Sequence, residues 1–458
     1  MLYRNQIKIF IILAACFFIL PACKKFLDKK QNDAEVVPST LTDVQALMDN
    51  AELTGYISPS YPEASSDESY LSDAIFNSFP TVYQEFYLWQ KPTVPDGSSN
   101  DWGDSYHAIY DANLALDLLN SIDRGATNGQ QWDNVKGSAL FFRAYHFLNL
   151  LWEYAKAYDS TTADKDFGIA LRLTSDFNVP STRATNQQSY NQVISDAKAS
   201  LPLLAAYPFV LTQPSKTAAY GLLARCYLSM RDYKNALLYS DSCLQLNNNL
   251  IDFNADDDIV GNLLADAPFK KFNKETIFYC EMNYEYDIFT YTGFVDSTLV
   301  SSYQLNDLRK VAYLSNDGTG HFYFKAPYTG SSYINFTGIA TDEMYLTRAE
   351  CYIRIGEIQK GLNDLNSLLA KRYKTGTYTP LVGLSQNVAL AKVLMERKKE
   401  LLFRGNRWMD IKRLNKEGAN IVLERIVGGQ KYTLQPNAGF YAIPLPDDIV
   451  KITGMPQN

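Results

Sequence analysis

Two stretches of this 458-residue chain carry the same pattern of small and aromatic residues in the same register. In the first, from Thr217 to Leu246, the pattern is Ala224, Tyr227, Ala236, Ser240 and Cys243. In the second it is Ala349, Tyr352, Gly361, Leu365 and Leu368, with every interval preserved. Small residues at such positions let paired helices approach closely, and the tyrosine fills the groove between them. Each stretch is therefore expected to be a helical hairpin. Two more blocks read as amphipathic hairpin partners. Trp102 to Leu119 places Tyr106, Ile109, Tyr110, Asn113, Leu116 and Leu119 along one face, and Val135 to Tyr158 has Leu140, Arg143, Ala144, Phe147, Leu150 and Leu151 at helical spacing.

The repeated intervals are those a tetratricopeptide unit uses for its contact positions. The expected fold is mostly α: a tetratricopeptide-like scaffold of helical hairpins, mainly over 102–250 and 341–415. Between its parts lie long irregular insertions, about 54–101 and 251–340, rich in Tyr, Phe, Pro, Gly, Asn and Ser. Within them, His321 to Gly330 and Ser331 to Ala340 have the composition of short strands and turns. Long irregular insertions in a helical body are usually functional loops, so a ligand is expected there.

The N-terminus reads as an export signal. Arg4 and Lys8 form a basic region, Ile9 to Leu20 an apolar one, and Leu20-Pro21-Ala22-Cys23 resembles a bacterial lipobox. Residues 1–22 are expected to be removed and Cys23 to carry a lipid, which anchors the chain to a membrane without spanning it. Residues 23–40, polar and of mixed charge, suit a flexible tether, with one folded domain over 41–458 beginning near Leu41, Val44, Leu47 and Met48. The net charge of −7 becomes more negative once the leader and its two cations are gone, which argues against a nucleic-acid partner. Cys226, Cys243, Cys280 and Cys351 contain no CxxC pair, hence no zinc pattern; three lie in helical patterns, and buried thiols are expected.

Catalytic chemistry finds little support. Of three histidines, His107 and His146 sit in helical blocks and read as packing or surface residues. No GxSxG, HExxH or P-loop occurs, and Gly318 and Gly320 read as a turn. Asp252, Asn254 and Asp256 mimic the start of a calcium loop, but Asp257 and Leu263 occupy its required Gly and Glu places. Asp256, Asp257 and Asp258 read as a solvated acidic loop before they read as a looser divalent site, and no cofactor is expected.

The C-terminal block ERKKELLFRGNRWMDIKRL, Glu396 to Leu414, is a charged helix, a break near Gly405 and Asn406, and a second helical segment. It resembles the E-R-x-x-E-L-x-F-E-G-x-R-x-x-D-x-x-R motif of the SusD/RagB family of outer-membrane nutrient-binding lipoproteins. Glu396, Arg397, Glu400, Leu401, Phe403, Gly405, Arg407, Asp410 and Arg413 match, while Arg404 stands where the motif has an acid. Arg407 with Asp410, and Arg397 with Glu400, are three apart and could pair. Trp102, Tyr106, Ile109, Ala112 and Asn113, the run Arg143 to Tyr145, the run Arg348 to Glu350 and the closing Gly439 to Ile449 also resemble family segments, in order along the chain. Glu153 to Tyr158 departs from the family's Y-G-x-x-P.

The resemblance implies a SusD-like fold and a non-enzymatic receptor, lipid-anchored in the outer membrane and facing the cell exterior. Its implied role is to pass oligosaccharide to a SusC-like TonB-dependent transporter. Sugars offer flat C–H faces to aromatic rings and hydroxyls to short polar side chains. Two stretches fit: Tyr83 to Asp104, with Tyr87, Trp89, Asn100 and Asp101, and Glu281 to Phe294, with Asn283, Tyr284, Tyr286 and Tyr291. Trp102, Trp132, Trp152 and Trp408 are expected in the core, whereas Trp89, outside any helical pattern, fits a platform or loop packing. A receptor for peptides or another non-sugar nutrient would use the same scaffold with different loops, and a lipoprotein hydrolase is the more distant alternative.

Overall fold

In the computed structural model the described residues are 38–50, 58–94, 97, 99–283 and 292–458. Cys23 with the leader, and Tyr284, Tyr286 and Tyr291, lie outside them. Residues Thr40–Asn458 form one compact unit. Its frame is built from α1 (Leu41–Met48), α2 (Asp101–Leu119), α3 (Gly129–Tyr154), α4 (Asn186–Ser200), α5 (Lys216–Ser229), α6 (Tyr233–Leu246), α7 (Thr341–Arg354), α8 (Ile358–Ala370), α9 (Gln386–Glu400) and α10 (Arg407–Asn415). Helix starts are set locally. Thr40 with Asp43, and Thr185 with Gln188, form capping boxes, and Ser215 and Asp232 accept the N–H groups of Ala218 and Asn235.

From α2 onward each helix packs on the next, α2 on α3 through to α7 on α8, and α9 also lies on α7. The row is continuous across α6 and α7 although residues 247–340 intervene. The repeated small residues act as expected: a Cβ added at Gly361 would stand 2.6 Å from the Ala349 carbonyl oxygen, so α7 and α8 meet at a distance only glycine permits. In the first repeat Ala224 and Ala236 are fully buried, and Tyr227 stacks on Tyr239 with ring centres 5.5 Å apart. The four cysteines are buried free thiols. Among the described residues no helix is long and apolar enough to cross a membrane.

The insertions hold the expected short antiparallel strands. Ser69–Tyr70 pairs with Phe294–Val295, Thr276–Phe278 with Ile339–Ala340, and Leu314–Asn316 with Phe322–Phe324. They also hold short helices where no helical period was evident, at Tyr61–Ala64, Asp73–Ser78, Thr81–Tyr87, Ser297–Ser302 and Leu308–Tyr313. One or two turns are too short for a period of 3.6 to register. The segments of the second insertion share an aromatic core of Phe253, Phe269, Tyr279, Tyr313, Phe324, Tyr328, Phe336 and Phe403, separate from the apolar core of the frame, while those of the first pack around Ala64, Leu71, Phe76 and Tyr87.

Candidate functional site

The two aromatic-rich insertions, distant in sequence, meet at the start of α2. Asn100 caps that helix by accepting the Gly103 N–H, and Asp101 turns back to accept the N–H groups of Ser60 and Tyr61, each at 2.8 Å. Asn283 reaches the same place, donating to Asp104 at 2.9 Å and to Asp101 at 3.3 Å, while its backbone N–H bonds Ser58. Burial pushes the Asp101 carboxyl up to about 7 against the pull of the Tyr61 and Ser60 N–H groups, and burial also raises Asp104.

The segment thus tied down, Ser58 to Tyr70, ends in an aromatic face. Tyr70 on one strand and Phe294 on its partner have ring centres 5.3 Å apart. His321 stacks on Phe294 at 4.3 Å, its Nδ1 2.7 Å from the Tyr70 hydroxyl, and Tyr323 meets Phe294 edge-on at 5.1 Å. Tyr70, His321 and Tyr323 are half-buried, each with part of its ring open to solvent, over a buried Phe294. The tight hairpin that presents His321 needs the left-handed backbone of Gly318 and Gly320, at φ +84° and +94°, so these two are a turn as their spacing suggested. Burial raises the Tyr70 hydroxyl pKa, with Asp296 and Asp317 adding to it, so the ring stays neutral. The chemistry is that of flat, neutral, partly exposed rings with a carboxylate and an imidazole at hand.

Four of the expected ligand residues lie behind this surface instead of on it. Tyr87 is 1% exposed and accepts the Leu71 N–H at 2.9 Å, with Arg425 against its ring at 4.2 Å; it props the strand that carries Tyr70. Trp89 follows the helix Thr81–Tyr87 in the left-handed conformation (φ +56°), while the Gln90 N–H bonds the Glu85 carbonyl to close the helix end. A side chain pays strain there; the indole N–H to Ser65 at 2.9 Å and packing among Trp408, Ile411 and Leu423 offset it. Asn100 and Asp101 are buried caps and ties. Tyr87, Trp89, Asn100 and Asp101, expected as ligand contacts, are thus buried, and of the two readings of Trp89 it is loop packing that the structure has: aromatic and short polar residues are also what closes helix ends and satisfies buried N–H groups. Asn283 is buried at the edge of the described residues. Trp102, Trp152 and Trp408 are core, as expected, and Trp132 is half-buried with its N–H on the Ile122 carbonyl. Tyr70, His321 and Tyr323 were missed; the alternating HFYF segment was the available signal.

Asp256 is held by Lys274 at 2.6 Å and accepts the Asp258 N–H, and Asp258 accepts the Lys274 N–H. Among the described residues no group of His, Cys, Asp and Glu could hold a metal ion.

Comparison with known proteins bears on both halves of the chain. A family model described as starch-binding associating with outer membrane matches residues 25–228, and that of the SusD family matches residues 323–443. The chain belongs to the SusD/RagB family. Its fold is that of a SusD superfamily protein from Bacteroides fragilis, 19% identical with a TM-score of 0.72 over 92% of this chain and 99% of that one. Another from Bacteroides thetaiotaomicron is 17% identical at 0.71, over 92% and 99%. A SusD-like carbohydrate binding protein from Bacteroides vulgatus is 18% identical at 0.66, over 91% and 97%. No curated protein matches the chain.

The SusD/RagB signature block explains how the aromatic face is mounted. Between α9 and α10 the chain turns through Phe403 and Gly405, both at positive φ. Glu63 accepts the Gly405 N–H at 3.0 Å, Glu68 accepts the Phe403 N–H at 3.1 Å, and Arg407 forks onto Asp67 at 2.6 and 2.8 Å. Burial pushes both glutamate carboxyls up; burial would raise Asp67 too, but Arg407 and Lys398 hold it well below the usual range. The pairs expected within the block do not form. Arg407 takes Asp67, and Arg397 takes Asp410 at 2.8 Å, because the turn points the two helices at different neighbours. Asp410 also binds Arg413, which forks onto Glu350 of α7 at 2.6 and 2.7 Å.

Proposed function

We propose that this SusD/RagB protein is a cell-surface receptor that captures an oligosaccharide on the Tyr70–Phe294–His321–Tyr323 face and passes it to a SusC-like TonB-dependent outer-membrane transporter. The observation that carries the reading is the set of partly exposed rings built from three separate strands. A sugar ring lays its C–H face on such rings and finds hydroxyl partners in the imidazole and in Asp317 of the same hairpin. The family model's outer-membrane description and the carbohydrate-binding relative support the same class of ligand. Capture of this kind is binding without catalysis and needs no cofactor; the acidic loop at Asp256 is occupied by Lys274. Lipid on Cys23 would confine the receptor to the outer face of the membrane beside its transporter, raising their effective concentration.

Calorimetry against a panel of oligosaccharides tests the ligand. Tyr323→Ala and His321→Ala should each weaken binding by about tenfold, the worth of one aromatic contact of about 1.4 kcal/mol. Unchanged affinity in both would remove this face from the site, and a panel that binds nothing while peptides bind would replace the sugar with a peptide. Cys23→Ala should leave the purified protein's affinity intact and abolish uptake by cells.

A further inference from the structure

Three strands carry the aromatic face, and one buried acid pair is tied to all three. Glu63 and Glu68 are 2% and 1% exposed, and their carboxyls are hydrogen-bonded to each other. We propose that Glu63 and Glu68 hold a single proton between them and are positioning residues of the Tyr70–Phe294–His321–Tyr323 face, which loosens when alkaline pH removes that proton. Their bearing on capture rests on the reading of this face as the ligand site.

The bond between the two carboxyls itself requires the proton, because two carboxylates offer only lone pairs. Donors fill the other places: the Ser66 hydroxyl at 3.1 Å and the Gly405 N–H at 3.0 Å on Glu63, and the Phe403 N–H at 3.1 Å on Glu68. The neighbouring cations are engaged elsewhere. Arg407 of α10 forks onto Asp67, and Lys398 of α9 lies 2.9 Å from Asp67 and 3.6 Å from Asp296. Arg425 donates to the Ser66 and Ser69 carbonyls, and Arg404 pairs with Asp342 at 3.1 Å. Burial and then the Glu63 charge raise the Glu68 carboxyl, Asp67 adding to them and Arg407 opposing.

From the pair, ties run to each strand. Glu68 directly precedes Ser69–Tyr70, and its carbonyl accepts the Asp296 N–H at 2.8 Å, at the end of Phe294–Val295. Phe403, whose N–H Glu68 holds, meets Phe324 edge-on at 5.2 Å, and Phe324 is on the strand of Tyr323. Phe403 and Gly405 stand at positive φ, so their turn keeps its shape through these bonds. A second ionisation sets two charges in contact beside Asp67 and away from solvent. The folded chain keeps a proton that the unfolded chain gives up. This part of its stability is complete below the ordinary carboxylate range and is lost as pH rises through the raised value of the pair.

Infrared spectra at pH 7 test the proton. The carboxylic acid C=O band should lose the intensity of one group in Glu68→Gln, and an unchanged band would overturn the proposal. Hydrogen exchange tests the hold on the face. In the wild type, amide protection over 63–70 and 402–405, corrected for the intrinsic pH dependence of exchange, should fall by about tenfold or more between pH 6 and pH 9. The Glu68→Gln amide keeps a donor toward Glu63 and an acceptor for Phe403, so its protection should stay level; if it does not fold, Glu63→Gln takes its place. Asp101, which burial brings to about 7, ties Ser60 and Tyr61 at the far end of the segment and is intact in both variants. Wild-type protection that stays level, or a fall that persists in either variant, would also overturn the proposal. Every readout is made without ligand, so its failure and that of the sugar panel are separate results.

Discussion

The helical frame and the insertions it carries differ in how far they lean on buried charge. In the frame, α7 and α8 approach until Gly361 rests on the Ala349 carbonyl, and the core they share is apolar, with single ion pairs such as Arg143–Asp196 and Arg225–Glu343 between other helices. Where the 251–340 insertion meets the frame, charged side chains are buried as a cluster. Arg309 binds Asp307, Glu396 and Glu400, and Arg372 binds Glu275 and Glu400, all without exposed surface. The difference follows from backbone. A helix satisfies its own N–H and C=O groups and needs only shape to pack, whereas irregular chain must find partners for its polar groups elsewhere. Two of those bonds, from Ile251 N–H and Phe403 N–H, end on buried glutamates.

The largest test of this contrast is Glu400→Ala. It leaves Arg309 and Arg372 buried with one anionic partner fewer, and should cost about 3–5 kcal/mol in urea unfolding. A cost below about 1 kcal/mol would break the contrast. Gly361→Val asks the same of the frame: a Cβ 2.6 Å from a carbonyl oxygen should cost about 1–3 kcal/mol in thermal unfolding, and a neutral result would show that α7 and α8 can slide apart.

A buried titratable group of the frame that lacks an ion-pair partner should be held neutral. His146 in α3 is fully buried, and burial pushes its imidazole down to about 3. The folded chain refuses a proton that the unfolded chain takes up near pH 6.5. This contribution to stability is therefore complete above that pH and is lost as pH falls toward 3, by up to about 1.4 kcal/mol per unit. Urea unfolding at pH 7, 5.5 and 4.5 should show a shallower acid loss in His146→Leu than in the wild type; identical slopes would remove His146 as a cause. The smallest effect is expected from Tyr87→Phe, which deletes the hydroxyl beneath the strand of Tyr70. About 1 kcal/mol of stability and a few-fold of ligand affinity should go together, and lost stability with full affinity would uncouple the support from the face.

Much of the frame was legible because helical contacts recur at fixed spacing: the Ala224 and Ala349 series both pack as their intervals imply. The signature block was legible as a motif but not as a set of pairs. Arg397 and Asp410 are 13 apart and meet only because Phe403 and Gly405 turn the chain between them. The ligand face was the hardest to read. Trp89 and Tyr87 have the composition of a sugar platform, yet they face inward, since an aromatic ring serves equally to bury area and to display it.

Most of the long frame helices and the close approach of the repeats could be read from local spacing, because these depend on neighbours three to twelve residues away. The sequence also determined the family, through residues that proved to be buried ties. Which aromatic rings reach solvent and which charges pair was set by tertiary contacts alone. Tyr70, Phe294 and Tyr323 come from three strands whose pairing has no local period, and Arg407 meets Asp67 across 340 positions of the chain. Exposure and convergence are relations between distant segments, settled when irregular backbone finds its hydrogen-bond partners.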